Sequence, residues 1–262
     1  MSNFGEIDVL LPIRTPAPWL DETLNSLRQQ TYADWRLVAV LHGEDQQISS
    51  QILAQFPNSL IVVVDESFGL SDVLNAGLAA CNSEFIARID SDDIALPTRF
   101  EKQIAYLSVN PQILSVGSSV TLINEESQSI GRVVGAQSQD KLMSGMKWKN
   151  LLAHPSVMYR RTEVISVGGY DALAKHVEDY CLWLMLGASG ELDSLPEPLT
   201  EYRVHSAQVS RTKVIGRVAR KRVLQARIAY AKGRNESVFM ARLRHGIWSA
   251  RQLLREFGSR TH

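Results

Sequence analysis

The sequence has little cysteine, no long hydrophobic run and no glycine-rich phosphate loop. The two cysteines, Cys81 and Cys181, are far apart in the chain, so a disulfide framework and a zinc–cysteine site are not expected. No apolar run approaches the ~20 residues that a membrane-spanning helix needs. The first residues show no secretory signal pattern, so we expect a cytoplasmic protein.

Neither Gly-x-Gly-x-x-Gly nor Gly-Lys-Ser/Thr occurs, which argues against a dinucleotide-dependent dehydrogenase and a P-loop enzyme. Hydrophobic residues make up 45% of the 262 residues and charged residues 21%, a composition typical of a soluble globular protein. The chain is therefore long enough for one large domain with an appendage.

The zero net charge hides an asymmetry along the chain. Residues 1–205 hold 14 Lys and Arg against 26 Asp and Glu, whereas residues 206–262 hold 14 against two. An acidic body thus carries a basic tail, a pattern that indicates an anionic surface or partner. A nucleic acid is not the expected partner, because the basic residues have no interleaved aromatic platform.

Strand and helix patterns alternate over the first hundred residues. Short apolar runs predict buried strands, and apolar residues at helical spacing predict helices between them. The predicted strands are 7–13, 37–41, 60–64 and 85–89, and the predicted helices are 20–30, 46–56 and one opened by Gly69. This order predicts an α/β fold with a doubly wound, mostly parallel sheet and a ligand crevice at one edge.

The second half is more mixed. We expect helices at 99–107 and 177–186, the latter buried because it is apolar nearly all round, and strands at 114–123 and 157–159. Residues 136–153 are undetermined by pattern, and Pro196 and Pro198 predict a loop. From residue 213 onward we expect two basic amphipathic helices, separated near Gly233.

Three carboxylates in four residues follow the fourth predicted strand, in Asp90-Ser91-Asp92-Asp93. Such a cluster repels itself unless a positive charge lies within it, and its hard oxygen ligands suit Mg²⁺ or Mn²⁺. The alternative is a solvated turn in which Ser91 or Asp93 caps the next element.

Glu178 and Asp179 open the buried helix. Acidic residues are favoured at this end by the helix dipole alone, but a carboxylate on a rigid element can also accept a proton in catalysis.

A lone histidine is more often a surface or hydrogen-bonded residue than a ligand. Of the histidines, His205 is the best candidate for a diphosphate or metal site, because it lies beside Arg203 in a polar segment.

The order of these motifs resembles the inverting glycosyltransferases of family 2, which have the GT-A fold. The resemblance covers about residues 6–211, and the tail lies outside it. The matching stretches are 9–13, 24–31, 69–78, 84–97, 154–160, 168–171 and 178–184, followed by 202–205 with Ser210. It implies a catalytic domain at 1–211, with a nucleotide-binding half at 1–100 and an acceptor half at 101–211, and a basic helical extension at 212–262.

The resemblance also implies roles for individual residues. The nucleotide-sugar donor would contact Pro12, Ile13, Arg14, Gly69, Asp90, Ser91 and Asp92. A divalent metal, Mn²⁺ or Mg²⁺, would be held by Asp90, Asp92 and His205. Asp179 would be the catalytic base, and His154, Glu178 and Arg203 would lie at the acceptor or the diphosphate.

One stretch departs from the family pattern. Where relatives usually have Asp-Asp-Gly-Ser after the second strand, this chain has Leu41-His42-Gly43-Glu44. Since the leucine side chain accepts no hydrogen bond, His42, Glu44 or Asp45 would have to contact the nucleobase. The identity of the base therefore stays open here.

The implied function is metal-dependent transfer of a sugar, with inversion, from a nucleotide-diphosphate sugar such as a UDP-sugar. The implied acceptor is a glycan or lipid-linked acceptor in cell-surface polysaccharide synthesis. A degenerate, non-catalytic module that scaffolds glycan assembly is the alternative from another class. A sugar nucleotidyltransferase is less well matched, because residues 13–18 contain no glycine.

The tail has two apolar stripes. They consist of Ile215, Ala219, Val223, Ala226 and Tyr230 in the first helix, and of Phe239, Leu243, Ile247, Ala250, Leu254 and Phe257 in the second. Arg244, Arg251 and Arg255 form a separate basic stripe, and Leu224, Ile228 and Trp248 offer a second contact face. Packing on the domain, docking on the anionic inner face of the cytoplasmic membrane and homodimerisation are all compatible with this pattern.

Overall fold

The computed structural model describes residues 7–206, 208 and 214–258. Its centre is a nine-stranded sheet that continues from a parallel half into a mixed half. Ser210, which belongs to the last predicted motif, lies outside the described residues.

The first half alternates strands and helices as predicted. Its elements are β1 (Ile7–Ile13), α1 (Leu20–Arg28), β2 (Trp35–His42), α2 (Gln46–Gln55), β3 (Leu60–Val64), α3 (Leu70–Ala80) and β4 (Phe85–Arg88). The strands lie in the order β3-β2-β1-β4, and all three pairings are parallel. Their carboxyl ends therefore meet at one edge of the sheet.

The second half extends the same sheet. Its elements are β5 (Ile94–Ala95), α4 (Arg99–Val109), β6 (Ile113–Ile123), β7 (Ser129–Val133), α5 (Gln139–Met146), β8 (Met158–Arg160), α6 (Arg161–Ser166), α7 (Glu178–Ser189), β9 (Glu191–Arg203), α8 (Arg217–Gly233) and α9 (Val238–Gly258). Strand β8 pairs antiparallel with both β4 and β6, and β6 pairs parallel with β9. The doubly wound α/β fold with a helical extension is confirmed.

Alternation along the strands separates two apolar cores. In β1, Leu10 packs in one core, whereas Val9 and Leu11 pack in the other. In β2, Val38 and Ala39 divide in the same way. Because successive side chains of a strand point to opposite faces, both faces of the parallel half are covered, as its continuous apolar strands predict.

The loop predicted at Pro196 and Pro198 is wrong, because both prolines lie inside β9. Ser118 of β6 pairs with Leu195, and the next residue, Ser119, pairs with Pro198, so the register slips by two residues at this point. Such an irregularity tolerates proline, which has no backbone N–H to donate to the ladder. The undetermined stretch 136–153 contains α5, whose N-cap Ser138 accepts a hydrogen bond from the Lys141 backbone N–H.

The two tail helices behave differently. The predicted stripe of α8 is buried at Ala219, Val223, Ala226 and Tyr230, where it joins the larger core with α7.

Packing on the domain was one of three roles considered for the predicted α9 stripe. That role is wrong for the side chains that the structure describes, because Phe239, Leu243, Ile247 and Leu254 are exposed. The buried side chains of α9 are instead Ala241 and Trp248, and the Arg227 guanidinium of α8 lies 5.3 Å from the Trp248 ring centroid. No helix of the described chain is long and apolar enough to cross a membrane.

Candidate active site

The acidic turn lies at the carboxyl edge of the parallel strands, directly after β4. The Ile89 N–H donates to the Leu10 carbonyl of β1, and the Asp93 N–H donates to the Asp90 carbonyl to close the turn. Carboxylate oxygens of Asp90, Asp92 and Asp93 lie within 4.8 Å of one another. The predicted cluster thus forms, and it includes Asp93, which was not among the predicted metal ligands.

A buried cation lies beneath the turn. The Arg88 guanidinium, 2% exposed, donates from Nη1 to Asp90 Oδ2 at 2.7 Å and from Nη2 to the other oxygen of the same carboxylate. This two-point pairing orients the Asp90 carboxylate. The predicted roles did not include Arg88, although a single arginine in an otherwise apolar strand is a signal that could have identified it.

Crowding and burial raise the pKa of two acids in the cluster. Burial raises the pKa of Asp90 to about 6, with the charge of Asp92 adding to the rise and that of Arg88 opposing it. Burial also raises the pKa of Asp93 well above its usual range, and Asp92 and Asp90 reinforce this effect. The cluster therefore disfavours full ionisation unless more positive charge enters.

Two predicted residues from the end of β9 flank the acidic turn. His205 Nε2 lies 2.9 Å from Asp92 Oδ2, and its ring packs on Trp19 with centroids 4.7 Å apart. His205 therefore contacts one acid of the turn, Asp92, but it is not part of the cluster whose oxygens lie within 4.8 Å of one another.

Arg203 has a different environment. Its buried guanidinium donates to the carbonyls of Asp92 and Asn124 and to the Glu22 carboxylate. Its backbone N–H donates to Asp93 Oδ1 at 2.7 Å. Since these N–H groups already donate to groups of the protein, Arg203 positions the acidic turn and does not present a free cation.

The second acidic pair opens α7. Asp179 Oδ2 accepts a hydrogen bond from Asn150 Nδ2 at 2.6 Å, and its Oδ1 accepts one from the Tyr180 N–H. Burial raises the pKa of Asp179, while the Tyr180 N–H and then the charge of Arg88 oppose the rise. Burial also raises the pKa of Glu178 to about 7, with the charge of Asp179 adding to it. The charge of Arg88 thus lowers the pKa of acids in both places, the turn after β4 and the start of α7.

The predicted His154 lies in a single 3₁₀ turn between α5 and β8. Its Nε2 is 3.0 Å from the Tyr170 hydroxyl, and its ring meets Trp183 of α7 edge-on at 5.9 Å. Burial lowers the pKa of His154 well below its usual value, with Arg88 adding to the effect, so the ring is neutral near pH 7. His154 therefore ties α7 to the neighbouring loop.

The predicted nucleotide residues lie at the ends of adjacent strands. Pro12 and Ile13 are buried at the end of β1, and Arg14 is exposed immediately beyond them. His42 ends β2, and its Nε2 lies 2.9 Å from the Phe68 carbonyl.

Two more predicted residues complete this edge. Gly69 is the N-cap of α3, and its N–H donates to the Asp72 carboxylate. Ser91 lies half-buried between Asp90 and Asp92. Parallel pairing thus brings these segments, distant in sequence, to the same edge of the sheet as Asp90 and Asp92.

Asn150 was also missed by the sequence interpretation. It comes from the stretch without a clear pattern and reaches Asp179 across 29 residues, so no local periodicity indicates the contact.

Comparison with known proteins identifies sequence relatives. A family model described as glycosyl transferase family 2 matches residues 8–166. The amylovoran biosynthesis glycosyltransferase AmsE of Erwinia amylovora is 33% identical over 198 residues, 74% of this chain and 74% of AmsE. The O-antigen biosynthesis glycosyltransferase WbnJ of Escherichia coli is 31% identical over 212 residues, 79% of this chain and 82% of WbnJ.

Solved structures share the fold at low sequence identity. Residues 1–349 of S. aureus TarS in complex with UDP-GlcNAc superpose with a TM-score of 0.71 at 13% identity, covering 93% of this chain and 71% of TarS 1–349. A longer TarS chain is covered over only 39% of its length. The mannosyltransferase PcManGT of Pyrobaculum calidifontis, in complex with GDP-Man and Mn²⁺, has a TM-score of 0.58 at 16% identity, with 91% and 69% covered.

Repulsion among the carboxylates predicts that Asp92→Asn stabilises the metal-free chain. Because the folded pKa of Asp90 is raised to about 6, the folded state binds a proton more tightly than the unfolded state, and this contribution lowers stability as pH rises through 6. The substitution removes one cause of that rise. We expect a gain of about 1 kcal/mol in the free energy of unfolding at pH 8, and a smaller gain at pH 5.

Urea denaturation with EDTA at both pH values measures this effect. The exposed Asp34 is the control, and Asp34→Asn should change stability by less than about 0.5 kcal/mol. An Asp92→Asn variant no more stable than the wild type at pH 8 would contradict the repulsion.

Proposed function

The chain belongs to glycosyltransferase family 2 and has the GT-A fold, and from that premise we propose a metal-dependent, inverting sugar transfer. The donor is a nucleotide-diphosphate sugar, and the acceptor is a hydroxyl of a glycan or of a lipid-linked glycan in cell-surface polysaccharide synthesis. The observation that carries the proposal is the buried Arg88, which holds Asp90 and interacts electrostatically with Asp179. The same cation thus pairs with an acid on the donor side and lowers the pKa of the proposed base.

We assign residues 1–211 to the catalytic domain, with the donor bound mainly by 1–100 and the acceptor by 101–211. The donor would lie across the carboxyl ends of β1, β2 and β4, where Arg14, His42 and the acidic turn meet one sheet edge. We propose a UDP-sugar, which the structural neighbour with bound UDP-GlcNAc supports. His42 would contact the base in place of the family's acidic residue.

A divalent cation fits the residues of the acidic turn. Asp93 Oδ2 is buried without a hydrogen-bond partner among the described residues, and the cluster resists full ionisation without added positive charge. Asp90, Asp92 and His205 would hold Mn²⁺ or Mg²⁺, with Asp93 beside them. When bound, such an ion neutralises negative charge that develops on a leaving diphosphate. The neighbour with bound Mn²⁺ supports this assignment.

Asp179 acts as the general base in this proposal. Its carboxylate takes the proton of the acceptor hydroxyl while the hydroxyl oxygen bonds to the anomeric carbon and the bond to the diphosphate oxygen breaks. Attack opposite the leaving group inverts the configuration in one step, so no covalent enzyme intermediate is needed. The Asn150 amide and the Tyr180 N–H orient the base, and its raised pKa makes it a stronger one.

The remaining predicted residues act around this centre. Glu178 would contact the acceptor beside Asp179, and His154 positions α7 through its Tyr170 and Trp183 contacts. Arg203 supports the diphosphate site indirectly by fixing the Asp92 backbone. Relatives named for amylovoran and O-antigen biosynthesis support a polysaccharide acceptor.

Replacing the base should affect turnover and leave donor binding intact. Asp179→Asn keeps the size of the side chain and one of its two acceptor oxygens but cannot take a proton. We expect kcat to fall by roughly 10²–10⁴-fold with an unchanged donor Kd.

The control is Asp140→Asn, because Asp140 also lies in the first turn of a helix, α5, and tests the helix-dipole contribution alone. Equal losses of activity in the two variants would contradict the base assignment and would indicate that Asp179 only stabilises the start of its helix.

A panel of nucleotide sugars, each tested with Mn²⁺ or with EDTA, checks the donor and the metal together. We expect a UDP-sugar to raise Tm only when Mn²⁺ is present and to release UDP slowly without an acceptor. Asp92→Asn should abolish both effects, because a neutral amide replaces one carboxylate of the cluster.

Metal-dependent binding without any UDP release would instead indicate the non-catalytic module. Binding that ignores Mn²⁺ would contradict the metal assignment.

A further inference from the structure

The outer face of α9, defined by Phe239, Leu243, Ile247 and Leu254, is apolar and exposed. Phe239 is 73% exposed and Leu254 71%, and the four positions recur at helical spacing on one side. The opposite side of the same helix packs on α8. Single exposed apolar residues are common on proteins, but a continuous stripe along one helix indicates an interaction surface.

Positive charge borders this stripe. Arg242 and Arg251 are exposed and lie on its two flanks by helical spacing. Over residues 206–262 only Glu236 and Glu256 are acidic, and Glu236 lies within 4 Å of both Lys147 and Arg244. An apolar stripe between arginines on a helix that spans no membrane is typical of helices that lie in the lipid headgroup region.

We infer that the outer face of α9 docks on an anionic lipid surface, with the helix axis parallel to it. The apolar side chains enter the acyl boundary, and Arg242 and Arg251 meet the anionic headgroups. The acidic body, with its excess of carboxylates over residues 1–205, then faces away from the lipid. This inference goes beyond sugar transfer and is independent of it.

Charge disfavours a second copy of the chain as the occupant. In a two-fold contact each surface meets itself, so the arginines beside the stripe of one copy approach those of the other. Too few acidic residues lie in the tail to pair with them. An anionic bilayer matches both the apolar stripe and its charged borders.

Co-sedimentation with vesicles tests the apolar part. The full chain should bind vesicles of equal phosphatidylcholine and phosphatidylglycerol, and bind poorly to phosphatidylcholine alone. Leu243→Glu with Leu254→Glu should weaken binding at least about tenfold, because two apolar anchors are lost. The matched control is Val109→Glu with Ile130→Glu, which places the same charge change on exposed apolar residues elsewhere and should bind like the wild type.

A second pair of variants tests the charges. Arg242→Gln with Arg251→Gln should weaken binding to the anionic vesicles about 25-fold, from about fivefold per basic residue at an anionic surface. Arg28→Gln with Arg132→Gln, both exposed and on the body, should have little effect. Binding by the wild type should also weaken as salt rises.

Three results would overturn the inference. These are no binding of the wild type to either vesicle, equal binding to both, or equal loss in the tail variants and their controls. Sedimentation velocity without lipid identifies the rival occupant. A dimer that the Leu243→Glu and Leu254→Glu variant converts to monomer, together with absent lipid binding, would assign the stripe to a second copy.

Discussion

The buried ion pair between Arg88 and Asp90 is the interaction on which the arrangement of the site depends. Arg88 lies at the end of β4, where the core would otherwise be apolar, and its charge reaches the acidic turn and the acids of α7. Carboxylates packed this closely raise one another's pKa and lose ionisation unless a cation compensates them. A single guanidinium does so only in part, since the pKa of Asp90 stays near 6. That deficit of positive charge is what makes a divalent ion a suitable addition to the site.

The fold was predictable where local pattern decides structure. The bounds of β1 and β3 follow directly from short apolar runs, and their alternation with helices predicts the parallel order and the edge where ligands bind. Pro196 and Pro198 misled the interpretation because a register slip between β6 and β9 accommodates them, and that slip is set by pairing of distant segments. Asn150 was missed for a related reason, since only tertiary folding brings it to Asp179.

In the tail, too, local sequence pattern does not show which contacts tertiary folding makes. Periodicity identifies the apolar stripe of α9, but it does not determine which side of the helix the body covers. Trp248 and Ala241 take the buried position, where the Arg227 guanidinium lies over the Trp248 ring, and the apolar side chains of the predicted stripe stay exposed. The acidic body and the basic extension therefore differ in charge and in the kind of surface that they present. A transferase that acts on a lipid-linked acceptor would be oriented by such a division.

The anomeric configuration of the product tests the proposed transfer most directly. In the proposed transfer, Asp179 acts toward the acceptor and the acidic turn acts toward the leaving diphosphate, and neither is a nucleophile on the sugar. With an α-linked UDP-sugar as donor, we predict a β-linked product, read from the anomeric proton coupling of the new linkage by NMR. An α-linked product would contradict single displacement at this site, because retention requires a different route to the anomeric carbon.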